Sequence, residues 1–316
     1  MQLIPSNTSI DFIGRRKIAF AISGLMVLLA LVALATKGLN WGIDFAGGTI
    51  VEVRLEQPRP VGDLRDALEM ATIAGASIQH FGTETEFLIR MPNAEGADSG
   101  TISTQVLSAL ETGLGQGQVE LRRVEFVGPA IGKELTEKGV LALLYALVAI
   151  LFYVAWRFEL RFALGADLAL LHDVTITLGI FAITGKEFTL PVVAAVLTII
   201  GYSLNDTIVV FDRIREIMVK LRKRPLVEIM NKAVNETLSR TVMTSFTTIL
   251  VLVALFFLGG EIIHDFAFAL LIGIGVGTYS SIFVAAPVVL AMEGKRQPKL
   301  PGSEGDDAAE GQAAAS

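Results

Sequence analysis

The chain contains no cysteine. That excludes a disulfide framework, a thiolate metal site and a thiol nucleophile. Its three histidines, His80, His172 and His264, are scattered and lack metal-ligand spacing, so no metal is expected. There is no Gly-rich phosphate loop followed by lysine, which removes the usual signal for nucleotide hydrolysis. Nothing in the pattern points to nucleic-acid binding or to a bound cofactor, and no catalytic constellation is clustered in the sequence. A role as an enzyme is therefore not expected.

What the chain has is long uncharged runs. Of its 316 residues 52% are hydrophobic, with a mean hydropathy of +0.59. Soluble domains already reach ~45–50% apolar, so the run lengths decide, not the percentage. Six runs are long enough to cross a membrane at ~1.5 Å per helical residue. They are residues 18–36, 139–156, 162–184, 189–211, 241–258 and 266–292. The first run competes with a cleaved signal peptide, because Ala33-Leu34-Ala35 has the form of a cleavage site. Signal-peptide apolar cores are usually about 7–15 residues, shorter than this run, which favours a span.

Residues 37–138 differ in kind, being polar and Gly-rich with period-2 alternation. They read as one folded soluble domain. Strands are expected over Thr49–Leu55, Ser77–Phe81, Glu86–Met91 and Val119–Val127, and helices over Val61–Ile73 and Thr101–Leu114. The order β-α-β-β-α-β is the ferredoxin-like pattern. The expected fold is thus an α-helical bundle of six transmembrane helices carrying one α+β domain of that kind.

Charge gives the orientation. Arg15-Arg16-Lys17, Arg157 and Arg161, a basic amphipathic connector over 212–240, and Lys295, Arg296 and Lys299 all fall on one side of a six-span chain. Positive loops mark the cytoplasm. Residues 1–17 and 293–316 are then cytoplasmic, the latter as a disordered Gly/Ala-rich acidic tail. The folded domain is outside, in the periplasm of a Gram-negative cell.

Polar residues inside the apolar runs are the functional candidates. Asn205 and Asp206 are flanked by Ile, Val and Phe in span four. An aspartate there costs at least ~2.5–3.5 kcal/mol, so it needs a partner or a polar cavity. It is either tied to a neighbouring helix or carries a proton or ion. His172 and Asp173 lie near the middle of span three. Arg240, Thr244, Thr247 and Thr248 recur at helical spacing along span five and predict one polar stripe. Span six carries Gly273, Gly275, Gly277, Ser280 and Ser281, small residues that point to close packing. Two glycine motifs flank the soluble domain. Gly42, Asp44, Gly47 and Gly48 belong to a segment that is either a tight turn or a hinge. Gly128, Pro129 and Gly132 punctuate the chain between strand and helix.

The stretch Gly201-Tyr202-Ser203-Leu204-Asn205-Asp206-Thr207, with Val210-Phe211-Asp212-Arg213-Ile214-Arg215-Glu216, resembles the fourth membrane helix of the SecF family, which partners SecD in bacterial protein export. Both glycine motifs and Leu171-His172-Asp173-Val174 are similar to SecF signatures at matching places. The resemblance implies a six-span bundle of the RND transporter type, completed by SecD and assisting the SecYEG channel after SecA has driven the earlier steps. It implies that Asp206 and Arg240 couple the proton motive force to movement of an unfolded preprotein across the inner membrane. Asn205 joins them as a proton-coupling residue, and His172, Asp173, Thr244, Thr247 and Thr248 would be supporting intramembrane polar residues. Two other readings stay open: an RND-type half-transporter for a lipid or small molecule, and a passive scaffold whose polar residues are structural.

Overall fold

The computed structural model describes residues 8–73, 75–92, 99–221 and 223–293. The expected tail beyond Glu293, with Lys295, Arg296 and Lys299, lies outside the described residues, as do Met1 to Asn7 and Arg222.

Among the described residues six helices are long and apolar enough to cross a membrane. Span one is α1 (Arg16–Thr36). A two-residue strand β1 (Asn40–Trp41) and a one-turn helix α2 (Ile43–Ala46) lead into the soluble domain. That domain comprises β2 (Gly48–Leu55), α3 (Val61–Met70), β3 (Ser77–Phe81), β4 (Thr83–Met91), α4 (Ser99–Leu114) and β5 (Val119–Val127). The remaining spans are α5 (Pro129–Arg157), α6 (Leu160–Thr184), α7 (Leu190–Lys220) and α8 (Leu226–Leu258). The sixth is α9 (Glu261–Ser280), running through a π turn (Ser281–Ala285) into α10 (Ala286–Glu293). A short strand β6 (Glu187–Phe188) precedes α7.

The soluble domain has the expected β-α-β-β-α-β order, and its four strands are all antiparallel in the order β3-β4-β2-β5. Alternation sorts the two faces of the sheet. Val51, Val53, Phe87 and Ile89 point to α3 and α4, where they meet Leu64, Leu68, Val106 and Leu110. Ile50 and Leu88 point the other way and pack on Ile43 of α2.

The spans depart from expectation at their ends. Span two starts at Pro129, ten residues early, because proline suits the first helical position, where no N–H is needed. The basic connector expected over 212–240 is not a separate element. Helices α7 and α8 extend through it and meet at a short turn before Leu226. Arg213 ties the two extensions, pairing with Glu216 on its own helix and Glu236 on α8. The N-terminal segment lies against the same region, with Ile10 N donating to Asn235 Oδ1 at 2.9 Å and Phe12 N to Asn231 Oδ1 at 2.8 Å. The N-terminus and the α7–α8 turn therefore share one end of the bundle.

The sheet domain is anchored at the other end. Strand β1 pairs in parallel with β6, and Asn40 Nδ2 donates to Gly185 O at 2.9 Å. Arg90 of β4 forms an ion pair with Glu187. Trp41, Phe45 and Phe188 pack ring against ring beneath it.

Candidate functional site

Among the described residues the inner helices of the bundle hold two buried carboxylates. Asp173 on α6 is fully buried and Asp206 on α7 is 7% exposed. Both sit where a charge has no water, so each must be met by donors.

Asp206 is met by hydroxyls from two other elements. Thr241 Oγ1 of α8 donates to Oδ1 at 2.6 Å, and Ser281 Oγ of the π turn donates to Oδ2 at 2.8 Å. Asp173 is met in the same way. Ser203 Oγ of α7 and Ser280 Oγ of α9 donate to its Oδ2 at 2.6 and 2.7 Å. His172 Nδ1 lies 2.9 Å from its Oδ1. Helix α9 comes this close to α7 because Gly277 presents no side chain, and a Cβ there would stand 3.0 Å from Ser203 Cβ. The consecutive residues Ser280 and Ser281 thus serve different aspartates. They straddle the start of a π turn, a rare element found mostly at functional sites.

This corrects the reading of span six as packing alone. Glycine and serine do pack there, but the two hydroxyls are ligands to the carboxylates. The sequence signal was present in adjacent serines on a small-residue face. Nothing in their spacing said that an i→i+5 turn would aim them at two separate targets.

The stripe expected on span five turns outward. Thr244 and Thr247 are exposed, and their hydroxyls donate to carbonyls of their own helix. Thr248 does the same and lies 3.3 Å from Tyr202 Oη. The inward polar residues are instead Thr241 and Ser245, the latter 2.7 Å from Thr278 Oγ1. A helix turns ~100° per residue, so the two stripes lie on different sides.

Arg240 and Asn205 are both exposed on this chain. Among the described residues no ion pair within 4.0 Å joins Arg240 to Asp206, so the two are not in direct contact. The outward face of α7 and α8 therefore carries Asn205, Arg240, Thr244 and Thr247 among apolar residues such as Leu250 and Val251.

The glycine motifs converge at the junction of domain and bundle. Asp44 Oδ2 accepts from Leu190 N at 2.8 Å, so α2 supplies the N-terminal cap of α7. Gly42 N donates to Phe188 O at 2.9 Å. Gly47 and Gly48 have φ of 71° and 136°, a region that side chains rarely adopt, and a Cβ on Gly48 would meet Met91 O at 2.6 Å. Gly128 and Pro129 open α5. One turn on, a Cβ on Gly132 would lie 2.7 Å from Phe45 O. The segment 42–48 is thus a helical turn clamped between α5 and α7.

Comparison with known proteins fits this arrangement. Residues 106–295 match the family model described as protein export membrane protein SecD/SecF, C-terminal, and residues 32–58 match the SecD/SecF GG motif. The chain is 56% identical over 296 residues to protein translocase subunit SecF of Magnetococcus marinus, covering 93% of this chain and 95% of that one. It is 43% identical over 291 residues to the SecF subunit of Escherichia coli O157:H7, covering 92% and 90%. The crystal structure of SecDF, a translocon-associated membrane protein from Thermus thermophilus, superposes with a TM-score of 0.81 at 41% identity. The match covers 92% of this chain and 40% of the SecDF chain. A crystal structure of SecDF in a super-membrane-facing form superposes with a TM-score of 0.70 at 40% identity, covering 98% of this chain and 41% of that one.

Proposed function

The chain belongs to the SecF family of protein translocase subunits, and on that premise we propose that it couples proton flow across a bacterial inner membrane to the outward movement of an exported polypeptide. It is a multi-pass membrane protein and a transport subunit, not an enzyme. Family membership sets aside the half-transporter for lipids or small molecules. Its partner is a SecD subunit, which the matched SecDF proteins carry in the same chain. The assembly acts on an unfolded preprotein leaving SecYEG, after the SecA-driven steps.

Asp206 is the proton carrier. The observation that carries this reading is its coordination: a buried carboxylate held by the hydroxyls of Thr241 and Ser281, with no cation in ion-pair contact among the described residues. A hydroxyl both donates and accepts, so it serves the ionised and the protonated acid by rotating. A permanent ion pair would have to break first. Arg240 is the gating residue. It precedes Thr241, so movement of its guanidinium against SecD moves a donor of Asp206. A proton crossing 100 mV releases ~2.3 kcal/mol, enough to bias two arrangements more than tenfold at ~1.4 kcal/mol per decade. The Asp44 cap on α7 and the Arg90–Glu187 pair pass the shift to the sheet domain, with Gly128-Pro129 as the hinge.

Asp206→Asn keeps the shape and removes the titration. It should assemble with SecD yet lose gradient-dependent stimulation of export in vesicles. Loss of assembly would favour the scaffold reading, and retained stimulation would remove the carrier role.

Orientation follows from the basic residues at the end shared by the N-terminus and the α7–α8 turn. Both chain termini are then cytoplasmic and the sheet domain periplasmic. Because the chain has no cysteine, a single introduced one is unique. Gly82→Cys and Lys186→Cys should react with impermeant thiol reagents in spheroplasts, and Lys223→Cys should not; labelling at 223 reverses the orientation.

A further inference from the structure

The coordination of Asp173 leaves one ring nitrogen unused. His172 is 7% exposed, and its Nε2 has no hydrogen-bond partner among the described residues. Its Nδ1 faces the Asp173 carboxylate at 2.9 Å. A carboxylate only accepts, so Nδ1 bears the hydrogen and Nε2 of the neutral ring bears a lone pair. The ring stacks on Tyr279 with centroids 6.2 Å apart, and Tyr279 Oη donates to Ala19 O of α1 at 3.1 Å. A buried basic nitrogen whose ring is fixed by a carboxylate on its far side is arranged to take up a proton.

We propose that His172 Nε2 is a second proton-binding station, coupled to Asp206 through the elements that grip Asp173. The step is simple to balance. A proton from the same gradient adds to the Nε2 lone pair, an N–H bond forms, none breaks, and the imidazolium charge is offset by Asp173. Coupling follows from shared supports. Ser203 holds Asp173 and sits three residues before Asp206, on the same side of α7. Ser280 holds Asp173 and is followed by Ser281, which holds Asp206. A charge arriving at His172 draws the Asp173 carboxylate toward Nδ1–H and loosens its hold on both serines, and so bears on α7 and the π turn at once. Of the titratable groups on the elements packed against α6, Asp173 of α6 itself meets the ring and Tyr279 of α9 stacks on it, Asp206 of α7 lies three residues from Ser203, α1 carries Arg16 and Lys17 at its start, and α5 carries Tyr145 and Tyr153. This inference rests on the proton-coupled reading of Asp206 and adds a site to it.

The chain has only three histidines, so ¹⁵N-histidine NMR of the full chain in phospholipid nanodiscs can resolve each one. His80→Gln and His264→Gln assign the signals. His172 Nε2 should pass from bare to protonated as the pH is lowered. In Asp206→Asn the midpoint should fall, because a charge favouring the imidazolium is gone. Ser281→Ala, which keeps both carboxylates, should move it in the same direction and stands in if Asp206→Asn does not fold. An Nε2 that keeps one protonation state throughout overturns the station. A midpoint unmoved in the folded variants overturns the coupling. Both are read on the chain without export, so failure here leaves the Asp206→Asn export result to be judged separately.

Discussion

The sheet domain and the helical bundle bury opposite things. Inside the sheet domain lie Val51, Val53, Leu64, Phe87, Ile89 and Leu110, and no ionisable side chain is buried there among the described residues. Arg122 and Arg123 stay at its surface on β5. The bundle buries Asp173, Asp206 and His172 together with Ser203, Thr241, Ser280 and Ser281. The solvents explain the contrast. In water a dry core supplies the driving force, and charges are cheapest outside. In lipid, apolar side chains gain little by meeting one another, so packing and interhelical hydrogen bonds specify which helices meet. The outer spans α1, α5 and α8 bury 22%, 6% and 17% of their most apolar windows, against 56% for α6, α7 and the sixth span. The buried carboxylates and the histidine belong to the inner helices α6 and α7, and the outer helix α8 reaches them through Thr241.

That contrast predicts where damage is largest. Phe87 is fully buried between the sheet and its two helices. Phe87→Ala should cost about 3–5 kcal/mol, the usual loss for a buried aromatic. A fragment spanning residues 37–138 should fold by itself, since its core is its own, and the variant should melt far below it by circular dichroism. A fragment that melts only when attached to the bundle would erase the distinction between an autonomous domain and a dependent one.

The sheet domain was the more legible half. Strands β3 and β5 fall at the residues expected for them. The spans were legible as lengths, with ends blurred where amphipathic helix continues past the membrane, as at Lys220 and Leu226. The site was legible in part. Asp206 and Asp173 stood out because a carboxylate in an apolar run demands an account. Their donors did not. Serines and threonines are common in membrane helices, and only tertiary packing decides which of two faces turns inward. Thr241 was passed over beside Thr244 for that reason. The π turn at Ser281 has no sequence signature, and Gly277 shows its purpose only once Ser203 is beside it.

The finest test separates those two threonines. Thr241 Oγ1 is buried on Asp206, whereas the exposed Thr244 returns its hydroxyl to the Arg240 carbonyl. Interhelical hydrogen bonds in membranes average ~0.6 kcal/mol, and bonds to a charged group in protein interiors reach ~1.5–3 kcal/mol. Thr241 serves a carboxylate and spans two helices, so Thr241→Val should cost about 1–2 kcal/mol. Thr244→Val keeps the shape and loses only a bond within its own helix, so it should change stability by less than about 0.5 kcal/mol. Reversible unfolding of the full chain in mixed micelles measures both. Equal losses would mean that the bundle does not distinguish an inward polar face from an outward one. A large loss at Thr244 alone would put the polar contact of α8 on its other side and detach Thr241 from Asp206.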